Sequence, residues 1–226
     1  MPTDPRLTTR REDGRDVPLL LWRLTEPMLA VSSAPLGGGI GVRQWVLNAT
    51  VPMSYRRDDP DVHLAELAGA LGLSGPGVGL LTGVDVALAE TASDTGVRVW
   101  ATVGLGAPTW AAAPEPCGPG VDPVHVGTVN IVVCAPVRLS DAALVNAVAT
   151  VTEAKAQALW ELGLPATGTA TDAVTILCPV DGPSAPYGGP RSEWGARIAR
   201  ATHRAVLAGG AAERQPEMPW SVRHDR

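Results

Sequence analysis

RLSDAALVNAVATVTEAKAQALWELGLPATGTATDAVTILCPV, residues 138–180, decides the fold class. Ser140 is placed to cap a long helix, and Asp141 suits its positive end. Leu144, Val148, Val151, Ala158, Leu159 and Leu162 recur on one helical face, which marks the side turned to a core. Gly163 and Pro165 stop the helix, and TDAVTILCPV reads as a buried strand. With the strand HVGTVNIVVCAP upstream, this is the one part of the chain with strand–helix–strand alternation. Lys155 lies about 20° from Leu144 on the wheel, inside the apolar stripe. It is the only lysine; the other 17 of the 18 basic residues are arginine. A buried ammonium needs a partner or a purpose, unless its stem lies on apolar surface and the amine reaches water.

Outward from this stretch the chain is mixed. Residues 1–16 are charged and aperiodic and read as a loose tail. PLLLWRL and MLAVSS read as short strands, with the glycine-rich run SSAPLGGGIG after the second. RQWVLNATVPMSY reads as a strand, and Asp59-Pro60 opens a helix to about Leu71. GVGLLTGVDVALAE is ambiguous, whereas VRVWATVGLG reads as a strand. Residues 107–123 hold five prolines and form a long loop. A last helix is expected from Ser192 to Leu207, ending at Gly209-Gly210. The expected fold is α+β, or mixed-sheet α/β: a single layered domain over 17–210, its mixed β-sheet packed with about three main helices. Residues 211–226 are read as a weakly ordered tail.

Composition removes several function classes. A net charge of -5 and the absence of basic runs exclude a nucleic-acid footprint. No apolar stretch is long enough to span a membrane, and no signal-peptide core is present, so the expected location is cytoplasmic. Cys117, Cys134 and Cys178 are odd in number and lack CxxC spacing, which argues against a disulfide framework or zinc knuckle. Cys134 and Cys178 lie in apolar runs and are expected as buried thiols. His63, His125, His203 and His224 have no metal-ligand spacing, so no metal site is expected. There is no phosphate-binding glycine motif and no GxSxG elbow.

What remains is a set of small polar residues at element ends. Asn48 and Asn130 lie in apolar strands, where an amide needs partners. Thr128 and Asn130 share one strand face. Asn146, Thr150, Glu153 and Gln157 form a polar helical stripe, and Glu153 lies roughly 200° from Lys155. One substrate atom therefore cannot touch both. Asp172 follows the turn GTAT, where a carboxylate caps a turn or serves chemistry.

SSAPLGGG, VLN, GTVNIVV, TEAKAQAL, ATGTATDAV and YGGPRSEWG, in this order and spacing, resemble the adenosylcobinamide amidohydrolases of corrinoid salvage. The resemblance covers residues 29–207. Val129 stands where isoleucine is expected. The likeness implies hydrolysis of the aminopropanol amide of adenosylcobinamide, giving adenosylcobyric acid and 1-amino-2-propanol. The corrinoid would be substrate, with no cofactor, no nucleic acid and no membrane as partner; a homo-oligomer is compatible with this.

Amide hydrolysis needs an activated nucleophile, an oxyanion stabiliser and an acid for the departing amine. The residues themselves offer Lys155, Glu153, Asp172 and Thr128 as catalytic candidates, with Lys155 ranked above Glu153. Ser33, Gly37, Gly38, Gly39, Asn48, Asn130, Thr167, Gly168, Thr169, Thr171 and Tyr187 are candidates for substrate binding, and Trp110 and Tyr187 for stacking on a corrin ring. Three alternatives stay open: a non-catalytic corrinoid-binding module, a metal-dependent amidase, and an enzyme whose nucleophile is an N-terminal Thr128 exposed by self-cleavage after Gly127.

Overall fold

A computed structural model describes residues 4–12, 14–52, 54–114 and 127–213. The elements are β1 Arg6–Glu12, β2 Arg15–Ser32, β3 Gly39–Thr50, α1 Pro60–Ala70, β4 Gly77–Thr82, β5 Glu90–Asp94, β6 Val97–Val103, β7 Val129–Cys134, α2 Asp141–Glu161, β8 Ala173–Pro179 and α3 Glu193–Glu213. The strands form one mixed sheet in the order β4-β3-β2-β8-β7-β6-β5, with β1 paired to β2. Among the described residues only the β3–β4 and β7–β8 pairs are parallel. The fold is therefore α+β in a single domain, as the sequence suggested.

β2 organises the layers. Its register breaks between Arg23 and Met28, where the strand bends. Before the break it pairs with β1 and the second half of β3. After it, β2 pairs with the first half of β3 and with β8. The bend brings the two halves of the sheet face to face. Leu20, Trp22, Val46, Val78 and Leu80 pack against Trp100, Val132 and Cys134 from the other half. The rings of Trp22 and Trp100 meet edge to face at 5.7 Å.

Two outer layers close the molecule. Leu144, Ala147, Val151 and Ala158 of α2, with Ile198, Ala201 and Ala205 of α3, cover the alternate residues Val129, Ile131 and Val133 of β7. Leu64 and Ala68 of α1 cover Leu19, Leu21, Leu47 and Ala49. Each strand between two layers is apolar on both faces. A polar side chain on such a strand is conspicuous, and Asn48 and Asn130 are both there.

Several expectations need correction. Residues 1–16 are not all tail: Arg6–Glu12 form β1, and β2 begins at Arg15. The strand gives little periodic signal because only Arg10 of its residues is buried. The two expected short strands are one, continuous through the bend. GVGLLTGVDVALAE divides into β4, a 3₁₀ turn at Val86–Leu88 and the start of β5. The last helix does not stop at Gly209-Gly210 but continues to Glu213, so the domain passes residue 210. A Cβ on Gly209 would lie 2.7 Å from Val103 Cγ2, and one on Gly210 would collide with Leu162. The glycines permit close helix packing, which outweighs their poor propensity of ~1 kcal/mol each. The expected tail beyond Glu213 lies outside the described residues, as do 115–123 of the proline-rich loop.

Candidate active site

The parallel register of β7 and β8 sets Asn130 beside Ala173, and so Thr128 beside Thr171. The Thr128 and Thr171 hydroxyls are 2.6 Å apart, and Thr171 also donates to the Gly127 carbonyl at 3.3 Å. Thr128 is 4% exposed, whereas Thr171 is open to solvent. Asn130, two residues on, points between the sheet halves. Its amide donates to Asn48 Oδ1 and to the Leu81 carbonyl, each at 2.9 Å, and Asn48 donates to Thr102 Oγ1 at 3.1 Å. This chain joins the ends of β3, β4, β6 and β7. Both protons of the Asn130 amide are committed to it, so the pair braces the two halves of the sheet.

Lys155 reaches the same end of β7 from the helix layer. It is 7% exposed, and its amine is paired with Asp172 Oδ2. Asp172 accepts three further hydrogen bonds: from Val129 N at 2.9 Å, Thr169 N at 3.1 Å and Thr169 Oγ1 at 2.5 Å. The carboxylate thus ties α2, the 168–172 turn and the residue after Thr128 into one unit. Gly168 lies over the pair, where a Cβ would collide with both Asp172 Oδ2 and Lys155 Nζ. The strap at 109–111 closes over this turn. Thr109 N donates to Gly168 O at 2.8 Å, Thr167 N to Thr109 O at 3.0 Å and Ala111 N to Thr167 Oγ1 at 2.8 Å. Trp110, 45% exposed, sits on the strap.

Not every candidate is gathered here. Glu153 is exposed on the other side of α2, in a groove of about 420 Å³ with Thr150, Arg200 and His203. Thr150 is not solvated as its stripe suggested: it is buried and donates to Gly188 O at 2.8 Å. Tyr187 lies at the opposite end of β7, in the 183–192 loop beside Val137, and is 70% exposed. Ser33 does approach β8: its hydroxyl accepts from Val174 N at 3.0 Å. Gly37, however, packs on Gly77 at the start of β4, whereas Asn130 contacts the far end of that strand. Gly38 packs on the Ala34 carbonyl, and Gly39 begins β3. The triple glycine therefore shapes the turn between β2 and β3.

Burial pushes the Cys134 thiol up to about 12 and raises that of Cys178, so neither is a ready nucleophile. His203 pairs with Glu161 at the surface at 2.9 Å. Among the described residues no group of three His, Cys, Asp or Glu side chains is arranged to hold a metal ion. No helix among them is long and apolar enough to cross a membrane. Cys117 and His125 lie outside the described residues. Sequence reasoning missed Thr102, although its place two residues after inward-facing Trp100 in VRVWATV was a signal. The Leu81 carbonyl left none.

A model of the adenosylcobinamide amidohydrolase family matches residues 4–217. The chain is 31% identical over 186 residues to the adenosylcobinamide amidohydrolase of Methanosarcina mazei, covering 78% of this chain and 88% of that one. It is 37% identical over 166 residues to the adenosylcobinamide amidohydrolase of Halobacterium salinarum, covering 70% of each. Among solved structures, a Burkholderia sp. beta-aminopeptidase is loosely similar, with a TM-score of 0.41 and 11% identity over 92% of this chain and 83% of the other. The match to the family model spans both sheet halves and all three helices: this chain belongs to the adenosylcobinamide amidohydrolase family.

Proposed function

We propose that the protein hydrolyses the aminopropanol amide of adenosylcobinamide, releasing 1-amino-2-propanol and adenosylcobyric acid. The observation that carries this reading is the family match over 4–217. In this reading the corrinoid is substrate, and the chemistry belongs to the end of β7. The Thr128 hydroxyl is the nucleophile, with the Thr171 hydroxyl beside it as its hydrogen-bond partner. Lys155 supplies positive charge near the developing oxyanion, while Asp172 holds it and the Val129 amide in place. Trp110 offers an aromatic face at the rim for the corrin ring. Reduced, buried Cys134 and Cys178 suit a cytoplasmic enzyme.

The test is direct. Purified protein is incubated with adenosylcobinamide, and 1-amino-2-propanol and adenosylcobyric acid are quantified by mass spectrometry. Stoichiometric release many times over supports hydrolysis, with loss of turnover in folded Thr128→Ala and Lys155→Met. Tight corrinoid binding without amine release would make the protein a binding module instead.

A further inference from the structure

The Thr171 hydroxyl bonds both to the Thr128 hydroxyl and to the backbone carbonyl that precedes it. A hydroxyl has one proton, and Thr171 gives it to the Gly127 oxygen at 3.3 Å. The 2.6 Å contact must then be donated by Thr128. The chain runs from a hydroxyl, through Thr171, to the oxygen of the adjacent peptide carbonyl. This is the connectivity an intramolecular acyl shift requires.

The surrounding structure anchors the peptide that follows Thr128. Gly104 N donates to the Thr128 carbonyl at 2.9 Å, and Val129 N donates to Asp172 Oδ1 at 2.9 Å. At Gly127 a Cβ would lie 2.7 Å from Gly104 O and 3.1 Å from Ala107 N. Only glycine fits, and its carbonyl carries no neighbouring side chain to hinder attack. Thr128 is 4% exposed, so a substrate as large as a corrinoid meets little of it in the uncut chain.

We propose that the chain cuts its own Gly127–Thr128 bond, and that the Thr128 α-amine so released is the base that activates the Thr128 hydroxyl. The first half stands on the geometry alone; the second rests on the amidohydrolase reading. Thr128 Oγ attacks the Gly127 carbonyl carbon. Its proton passes to Thr171 Oγ as the Thr171 proton passes to the carbonyl oxygen, giving a neutral five-membered adduct. The C–N bond then breaks and the nitrogen takes a proton, leaving an ester between Gly127 and Thr128 Oγ. One water hydrolyses the ester to a Gly127 carboxylate and a free N-terminal threonine. An α-amine, with an ordinary pKa of ~7.7–8.0, is a suitable base near neutral pH. The two pieces remain one folded body, because β6 pairs with β7 and β2 with β8 across the cut.

The experiment follows the full-length purified chain at neutral pH, with protease inhibitors, by denaturing gel, intact mass and N-terminal sequencing. Expected are two fragments, one ending at Gly127 and one beginning Thr-Val-Asn, formed at a rate independent of protein concentration. Thr128→Ser should still be cut, and Thr128→Ala should stay whole. Thr171→Val should slow the cut by about 10²-fold, the usual loss on removing one oxyanion donor. A wild-type chain that stays intact overturns the proposal, as does Thr128→Ala cut at the same bond. If Thr128→Ala does not fold, the wild-type mass and the serine variant decide. An intact chain that releases aminopropanol sinks self-cleavage and leaves the amidohydrolase reading standing; a cut chain that releases none does the reverse.

Discussion

Replacing Asp172 with asparagine tests the centre of the proposed site. The Lys155 and Asp172 side chains are 8% and 11% exposed, so water can replace little of what is lost. Asparagine keeps one acceptor oxygen for Val129 or Thr169 but leaves the Lys155 ammonium buried and unpaired. Removing one partner of a buried pair costs about 3–5 kcal/mol. Lys155→Met costs less, because the remaining carboxylate keeps the three donors from Val129 and Thr169. The double variant holds no buried charge and should be more stable than Asp172→Asn alone. The non-additive term should be roughly 1–3 kcal/mol. Urea unfolding followed by tryptophan fluorescence, with ΔG taken from midpoint and slope, measures all four corners of the cycle. An Asp172→Asn variant within ~1 kcal/mol of wild type, or strictly additive effects, would show that the pair does not hold this end of the fold.

Three further outcomes are expected. Gly168→Ala should lower stability by about 1–3 kcal/mol and reduce amine release, since its methyl displaces the Lys155–Asp172 pair; unchanged urea midpoint and turnover would contradict the packing described. Glu153→Gln should retain turnover within a few-fold in a steady-state assay, because Glu153 faces the α2–α3 groove; complete loss would move the active site there. Asp94, held down to about 2 mainly by the hydrogen bond from Arg200, clamps β5 to α3. A depressed carboxylate stabilises above its unfolded pKa of ~3.9, and that contribution fades as pH falls towards 2. The melting-temperature gap between wild type and Asp94→Asn should therefore be full at pH 6 and close as acid is added; a constant gap would refute the linkage.

The long helix was legible because twenty-one residues of periodic pattern, a serine cap and a glycine stop all agreed. The same wheel separated Lys155 from Glu153, and the structure buries the first and exposes the second. The partner of Lys155 could not be read by periodicity, since Asp172 sits in a turn and is reached through tertiary packing. Thr128 and Asn130 were visible as polar residues in apolar company. Their joining to Asn48 and Thr102 depends on the sheet folding back on itself, which no local pattern encodes. Tyr187 was grouped with the site as a stacking residue, and topology sends it to the other end of β7.

The bend in β2 also bears on how the chain is made. Ser32 and Thr175 bond at 2.8 Å, yet they are 143 residues apart in sequence. During synthesis the second half of β2 waits for β8 with an unpaired hydrogen-bonding rim. Such distant pairing is slow to find and exposed to misassociation while it is sought. Expression at lower temperature, or with a chaperone that shields strand edges, should raise the soluble yield. A chain truncated before β8 should aggregate although most of its strands are present.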